Sequence, residues 1–217
     1  MNSRTKEMKG RKLIDVTEEK VNGESVDFND IKSFDLAGTS IRLTSESSTI
    51  AHNFTSRSGI KQDWLRNFEG RANQFNAKGK RSFALYINDE AVAKALEASG
   101  VNVHWPKLSP NIADDPTRDA ESYKLRPWVK VIVKQSGSLR IKKQEVLMDQ
   151  PDENGNPTIY NRSDMNEDEY FLIDNLYIED FDITLRTWAY QPGKYSLYLN
   201  TMYFTVPVDS YVERYGW

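Results

Sequence analysis

Cationic and aromatic side chains recur at alternate positions in three segments of the chain, 128–134, 138–147 and 182–190. In a β-strand every second side chain points to the same side, so each segment predicts one apolar face and one basic, aromatic face. Such a face suits a ligand that is both charged and flat. Single-stranded nucleic acid is such a ligand, because cations hold its phosphates and rings stack on its bases. The predicted binding residues in these segments are Trp128, Lys130, Lys134, Arg140, Lys142, Arg186, Trp188 and Tyr190.

A second basic region lies between residues 57 and 81, where seven Lys and Arg residues face two acidic ones and leave a local charge of +5. Trp64, Phe68 and Phe75 are interleaved with these cations, although Trp64 and Phe68 are equally well explained as core residues. The loop 75–81 combines turn-forming residues with three cations within four positions, which predicts further phosphate contacts. The binding residues predicted in this loop are Lys78, Lys80 and Arg81.

The segment 149–182 has the opposite charge, since eleven acidic residues are opposed by Arg162 alone. This segregation reconciles a basic surface with the net charge of −3 for the chain of 217 residues. Residues 152–157 have in part the Asp-x-Asn-x-Asn spacing of a calcium loop, but no bidentate Glu follows at the required distance. Nothing singles out two of the acids as a catalytic pair. Neither a calcium site nor carboxylate catalysis is therefore predicted here.

The residue types that most catalytic and cofactor sites need are missing or isolated. The chain has no cysteine, and its two histidines, His52 and His104, lack the spacing of metal ligands. Neither a nucleophile elbow nor a phosphate-binding glycine motif occurs. The sequence therefore predicts a protein that is not an enzyme and uses no metal and no cofactor. No apolar run approaches the roughly 20 residues of a membrane helix, so a soluble, cytoplasmic protein is expected.

The elements that must position the predicted binding residues are mainly β. Residues 182–206 predict two long strands joined at a Pro-Gly turn, the second of them a central strand with bulk on both faces. A strand over 82–88 leads into a helix over 89–99, with Asp89 at its N-cap. The two basic segments before the acidic one are predicted to pair as a hairpin of two strands, 123–135 and 138–147.

The order of these elements resembles the single-stranded DNA-binding proteins of tailed bacteriophages. The resemblance covers roughly residues 55 to 208, and it is carried by the helix at Asp89 and by the patterning of the segments 83–87, 128–134, 183–190 and 198–203. It implies a mainly β (α+β) fold, an OB-like five-stranded antiparallel barrel with one short helix and extra hairpin and loop insertions. It also implies sequence-independent coating and protection of exposed single-stranded DNA during phage replication or recombination.

Three parts of the chain are expected on this basis. They are a flexible N-terminal arm over 1–38, an OB-like nucleic-acid-binding domain over 39–208 and an aromatic C-terminal tail over 209–217. The resemblance implies single-stranded DNA as the partner, with replication or recombination proteins as further partners, in the cytoplasm of the host cell. No membrane partner is expected, and a homo-oligomer is left open.

A different class of protein has the same surface composition. Tyr, Trp and Arg also dominate the hot spots of protein–protein interfaces, so a β-rich virion or assembly protein with an aromatic interface is the alternative. Carbohydrate binding by the same rings is a third hypothesis. Ionic strength separates the first two, because phosphate binding weakens steeply with salt whereas an aromatic protein interface barely responds.

Overall fold

The computed structural model describes residues 12–16, 20–21, 24–25, 27–55, 61–62, 64–73, 76–106, 126–147 and 151–207. Phe75 of the predicted basic loop and the predicted tail 209–217 lie outside these ranges. The described strands are β1 (Leu13–Asp15), β2 (Lys20–Val21), β3 (Glu24–Ser25), β4 (Ser40–Thr44), β5 (Ser48–Ile50), β6 (Phe54–Thr55), β7 (Lys61–Gln62), β8 (Arg66–Asn67), β9 (Arg81–Ile87), β10 (Val103–His104), β11 (Trp128–Val133), β12 (Arg140–Leu147), β13 (Thr158–Asp164), β14 (Asp180–Gln191) and β15 (Lys194–Pro207). The described helices are α1 (Glu90–Ala98) and a 3₁₀ helix (Glu167–Asp174).

Thirteen of the described strands form one open sheet, and β6 and β7 form a separate pair. The main path of the sheet is β3-β2-β1-β4-β14-β15-β11-β9-β5, from which β8, β10, β12 and β13 branch. The sheet is mixed, because β11 and β12 run parallel to β15 and β1 runs parallel to β4. The predicted mainly β class is confirmed, although the described residues contain two short helices where one was predicted. A five-stranded antiparallel barrel is not confirmed, since the described sheet is open and contains parallel neighbours.

The two longest strands, β14 and β15, form the predicted hairpin around a Pro-Gly turn. The end of α1 packs against this turn. A Cβ atom on Gly100 would lie 2.0 Å from the carbonyl oxygen of Gly193, and Gly100 has a φ of +95°. The backbone N–H of Tyr195 also donates to the carbonyl of Gly100 at 3.0 Å. Only glycine fits this approach, which ties the hairpin turn to the helix.

A β-bulge in β15 changes which side chains face the core. Leu185 pairs with Leu199 but Thr184 pairs with Thr201, which leaves Asn200 as an extra residue. Odd-numbered side chains of β15 are buried before the bulge, and even-numbered ones are buried after it. A strict two-residue alternation therefore does not hold along the whole of β15, because one extra residue reverses the parity at the bulge.

The strands β11 and β12 do not pair with each other, so the predicted basic hairpin is wrong. Both lie along the same edge of β15, with Val131 opposite Leu197 and Arg140 opposite Thr201. The turn between them preserves the chain direction instead of reversing it, because both strands add in parallel to one long neighbour. The antiparallel partner of β12 is β13, whose acidic and polar residues did not predict a strand.

Residues 152–157, which have part of a calcium-loop spacing, form a turn before β13. The carboxylate of Asp152 accepts hydrogen bonds from the backbone N–H groups of Asn154 and Asn156, both at 2.8 Å. These bonds, led by those from Asn156, lower the pKa of Asp152. This carboxylate therefore serves the local turn chemistry of an Asx residue.

The predicted helix is confirmed as α1. The side chain of Asp89 caps it by accepting from the N–H of Ala91 at 2.7 Å. Val92, Ala95 and Leu96 are buried in the core beside β9, which is itself buried on both faces over most of its length. Among the described residues, no helix has the length and apolar character that a membrane crossing requires.

Part of the segment expected to be a flexible arm packs against the sheet. β1 runs beside β4, and Ile14, Phe28, Phe34 and Leu36 are buried in the core. The backbone N–H of Phe34 donates to the hydroxyl of Ser99 at the end of α1, at 2.5 Å. The described part of the arm therefore belongs to the folded body, while the boundaries after residues 38 and 208 stay predictions.

The 3₁₀ helix is anchored to the sheet by a buried arginine. Arg66 on β8 is 1% exposed, and its guanidinium donates to the carbonyl oxygens of Ile173 and Leu176 at 3.1 and 2.8 Å. In return the carboxylate of Asp174 accepts from the backbone N–H groups of Phe68 and Glu69. Burial raises the pKa of Asp174 despite these bonds. Arg66 and Phe68, both from the basic region, are thus structural residues.

Candidate nucleic-acid interface

Strand register brings most of the predicted cations and rings onto one side of the sheet, which we call the outer face. Arg186 on β14 lies opposite Tyr198 on β15, and Tyr198 lies opposite Ile132 on β11. The core side of the same strands carries buried Leu, Ile and Val side chains. A second row crosses the sheet through Thr184, Thr201 and Arg140. The predicted residues that share the outer face are Trp128, Lys130, Lys134, Arg140, Lys142, Arg186 and Trp188.

The tip of the β14–β15 hairpin carries two strongly exposed rings. Trp188 is 67% exposed and Tyr190 is 53% exposed. Trp188 lies opposite Ser196, a small residue that covers little of the indole. The strand register shifts beside Tyr190, so this ring leaves the regular alternation at the end of the strand. Both rings offer the open surface that stacking on a base requires.

Tyr198 lies among the predicted cations of the outer face, although it was not predicted as a site residue. The ammonium of Lys134 lies 4.9 Å from the centre of its ring, within the range of a cation–π contact. Arg186, its cross-strand neighbour, donates to the hydroxyl of Ser138 at 3.0 Å. The sequence predicts bulk on both faces of β15, so the alternation did not single out Tyr198. Nor could it show which cations the register would place beside the ring.

Lys142 is held by an acidic neighbour, whereas Arg140 on the same strand is exposed. The ammonium of Lys142 lies 3.0 Å from a carboxylate oxygen of Asp164 on β13 and 5.7 Å from the ring centre of Tyr203. The hydrogen bond that it donates to Asp164 raises the pKa of Lys142. Because of this ion pair, Lys142 contributes less positive charge to the outer face than Arg140 does.

The part of the outer face that lies on β4 is also neutralised by ion pairs. The guanidinium of Arg42 contacts the carboxylates of Asp15 and Asp182 at 2.9 and 2.8 Å. Its hydrogen bonds to Asp182 raise the pKa of Arg42 further above its ordinary value. The positive charge of the face is therefore concentrated away from β4, on β11, on β14 and at the start of β12.

Trp128 faces the same way as Trp188 but is packed in a cluster of rings. His104 stacks on its indole with ring centres 4.0 Å apart and planes 13° apart, and Trp64 approaches to 5.7 Å at 51°. Burial, and then the positive charge of Lys130, lower the pKa of His104, so the imidazole is neutral at pH 7. No sequence pattern linked His104 to Trp128, since the two meet only through the pairing of β10 with β11.

A cleft of about 210 Å³ opens beside Lys130 at the β9 end of the outer face. The ammonium of Lys130 donates to the side-chain oxygen of Asn76 at 3.1 Å. Residues 77–80 then form a turn in which Lys78 and Lys80 are exposed. The two predicted lysines of the loop are therefore close in sequence to the cleft. Its lining residues are Trp64, Asn76, Ser82, Phe83, Ala84, His104, Trp128 and Lys130.

Arg81 lies apart from the outer face. Its side chain belongs to the opposite side of β9 from Ser82, forms an ion pair with Glu167 and lies 5.8 Å from the ring centre of Tyr170. These partners come from the 3₁₀ helix on the core side of the sheet. Arg81 is the first residue of β9, and its position in the strand directs its side chain to the core side of the sheet. Lys78 and Lys80 lie in the turn before the strand and are not subject to this alternation.

The outer face offers cations for phosphates and rings for bases, which is the chemistry of nucleic-acid binding. In the part of the chain that the structure describes, no group of three His, Cys, Asp or Glu side chains could hold a metal ion.

Comparison with known families gives an independent finding. The family described as "Putative phage ssDNA-binding domain" matches residues 59–216, about three quarters of the chain. A comparison with curated proteins found no match, and neither did a comparison with solved structures. The matched region includes β8 to β15 and hence every strand that builds the outer face apart from β4.

Proposed function

Because the chain belongs to this family of phage ssDNA-binding domains, we propose that its outer face binds single-stranded DNA without sequence preference. Binding would protect exposed strands during phage replication or recombination. The observation that carries the proposal is the strand register, which places cations from β11, β12 and β14 together with an exposed tryptophan on one face. The resemblance noted from the sequence and the family match are two further lines of support.

The phosphates are proposed to lie along the cations of the outer face. Lys134 and Arg140 are exposed, and Lys134 and Arg186 flank the ring of Tyr198. Each cation that replaces a condensed counterion on the strand makes the affinity depend more steeply on salt, by a slope of about 0.7 per phosphate for single strands. Lys78 and Lys80, in the turn before β9, extend the same row of cations.

The bases are proposed to stack on Trp188 and Tyr190 at the hairpin tip. Stacking of a base on an aromatic side chain contributes about 1 to 3 kcal/mol and tolerates any sequence, because every base has a π-face. The partners of these strands in the sheet hold the hairpin in place, so the rings are presented on a fixed support. This arrangement explains why binding would need no particular base.

The finer features expected from the resemblance also belong to this proposal. Strands often bend at a β-bulge where they turn a corner between two sheets. β15 changes its neighbour from β11 to β12 next to the bulge at Asn200, which supports an OB-like curvature of the sheet. The protein would act without catalysis in the cytoplasm of the host cell. Replication or recombination proteins are proposed as further partners, and self-association on DNA is compatible with the role.

The proposal is tested by fluorescence anisotropy of a labelled oligo-dT strand titrated with the protein at roughly 50 and 200 mM salt. Tight binding that falls steeply with salt, and that excess duplex fails to compete, is the expected result. The variant Arg140→Gln with Lys134→Gln should weaken binding and flatten the salt dependence. Lys94→Gln on α1 is a control for the loss of a surface cation, since Lys94 is exposed, pairs with Glu90 and lies on another element. Absence of binding at low salt would leave the aromatic protein interface of a virion or assembly protein as the better account.

A further inference from the structure

The cleft beside Lys130 has the shape and lining of a site for one flat ring. Its volume of about 210 Å³ is below the roughly 300 to 1,000 Å³ of sites for drug-sized ligands. Trp64 and Trp128 form two of its walls, and their ring centres lie 5.7 Å apart with planes at 51°, so the two indoles contact each other and together form an aromatic wall. His104 stacks on Trp128 and thereby fixes the orientation of this indole in the cleft wall. A small planar aromatic ligand fits these features better than an extended or branched one.

The polar groups of the cleft suit a base that is attached to a phosphate. The side-chain amide of Asn76 offers both an acceptor and donors, and it is 6% exposed, so its position is fixed by the surrounding structure. The ammonium of Lys130 lies 3.1 Å from the side-chain oxygen of Asn76, and Lys130 is also exposed to solvent. Its positive charge is therefore located between the cleft and the rest of the outer face. A ligand with an aromatic ring and a negative charge can use both groups.

From these observations we infer that the cleft takes one unstacked nucleobase of the bound strand. This inference rests on the proposed function and adds a second kind of base contact to it. The base lies in the cleft against the wall that the two indoles form, Asn76 contacts its edge, and Lys130 contacts its phosphate. The strand continues across the outer face to the stacking rings at the hairpin tip. The cleft therefore clamps one nucleotide, while Trp188 and Tyr190 stack on others.

Filling the cleft without removing a ring or a charge isolates this contact. Ala84 is 2% exposed, lines the cleft and lies opposite Lys130 in the sheet, so Ala84→Leu directs a larger apolar side chain into the space. Ala98→Leu is the matched control, because it makes the same alanine-to-leucine change at an exposed position of α1, away from the outer face. Circular dichroism and urea unfolding establish that both variants are folded.

The site is read out by ultraviolet crosslinking of oligonucleotides that contain 5-iododeoxyuridine, followed by mass spectrometry, with anisotropy on the same strands. The wild-type protein and Ala98→Leu are expected to crosslink both in the cleft, at Trp64 or Trp128, and at the hairpin tip. Ala84→Leu is expected to lose the cleft crosslinks, to keep those at Trp188 or Tyr190, and to bind roughly 5- to 150-fold more weakly, as the loss of one base contact predicts.

The outcomes separate the cleft from the proposed function. Wild-type protein that binds the strand but crosslinks only at the hairpin tip would overturn the cleft inference and leave single-strand binding intact. Equal affinity of Ala84→Leu and wild type would overturn it as well. Were Ala84→Leu not to fold, the wild-type crosslink map would decide alone. No anisotropy change with any strand would refute the proposed function itself, and the cleft inference with it.

Discussion

Trp128 and Trp188 arise from the same sequence pattern and lie on the same face of the sheet, but they differ in their surroundings. Trp188 projects from a hairpin tip and is 67% exposed. Trp128 is half-buried between His104 and Trp64. The difference comes from neighbouring residues, because His104 on β10 and Trp64 before β8 pack on Trp128, whereas Ser196 opposite Trp188 covers little of its indole. A pattern of alternating residues thus identifies which side chains share a face, but it does not show how much of that face is exposed to solvent.

The comparison separates two roles that the sequence assigned together. Trp128 supports the structure and forms a wall of the cleft, whereas Trp188 is available for stacking without supporting the core. Changing the two residues should therefore affect two different measurements.

The largest expected effect is on stability, and it distinguishes the two tryptophans. Trp128→Ala removes a ring packed against two others and should lower the free energy of unfolding by about 3 kcal/mol, the low end for a packed tryptophan. Trp188→Ala should change it by less than about 0.5 kcal/mol, as for other exposed positions. Urea unfolding followed by circular dichroism measures both. Equal destabilisation by the two changes would remove the distinction.

The next effect is on affinity and concerns the exposed ring. Trp188→Ala should weaken binding of oligo-dT by about 1 to 3 kcal/mol, the contribution of one stacked base. Trp188→Phe should retain most of the affinity, because phenylalanine also offers a π-face. Anisotropy titration at fixed salt provides the measurement. If alanine and phenylalanine at this position bind equally well, stacking is not what Trp188 contributes.

A smaller effect compares an exposed cation with a paired one on the same strand. Arg140→Gln should reduce the slope of log affinity against log salt by about 0.7, the value for one phosphate contact with a single strand. Lys142→Gln should reduce it less, because Asp164 already neutralises part of this charge. Titrations at several salt concentrations measure the slopes. A larger change for Lys142 than for Arg140 would show that DNA displaces Asp164 from its ion pair.

The smallest effect is a pH dependence that belongs to the Trp128 cluster. The pKa of His104 in the folded protein lies below its ordinary value of 6.5, because of burial and then the charge of Lys130. As the pH falls, His104 is therefore protonated at a higher pH in the unfolded chain than in the folded protein. Its contribution to the free energy of unfolding is fully present above about pH 6.5 and is lost as the pH decreases toward the folded pKa.

His104→Gln should remove this part of the pH dependence, which unfolding measured between pH 5 and 7.5 can detect. His52 has a pKa lowered by burial and then by Arg66, so His52→Gln provides a comparison with the same sign at a different place. Identical pH profiles for wild type and His104→Gln would mean that the imidazole of His104 titrates alike in the folded and unfolded chain.

Several elements could be predicted because their causes are local. Asp89 and the apolar spacing after it specify α1, and the Pro-Gly turn between two alternating segments specifies the β14–β15 hairpin. Other elements depended on distant partners. β13 forms because β12 offers it an edge, and β11 and β12 lie in line because β15 is long enough to pair with both. No local pattern carries that information.

The sequence by itself determined that the chain is mainly β and that basic and aromatic residues share one side of three strands, because period-two alternation is a property of each strand alone. It also pointed to the family that the comparison shows. Tertiary structure decided the rest. The bulge at Asn200 reverses the parity of β15, the register aligns Arg186 with Tyr198, and the pairing of β10 with β11 brings His104 onto Trp128. These contacts join residues far apart in the chain, so their geometry exists only once the sheet has assembled.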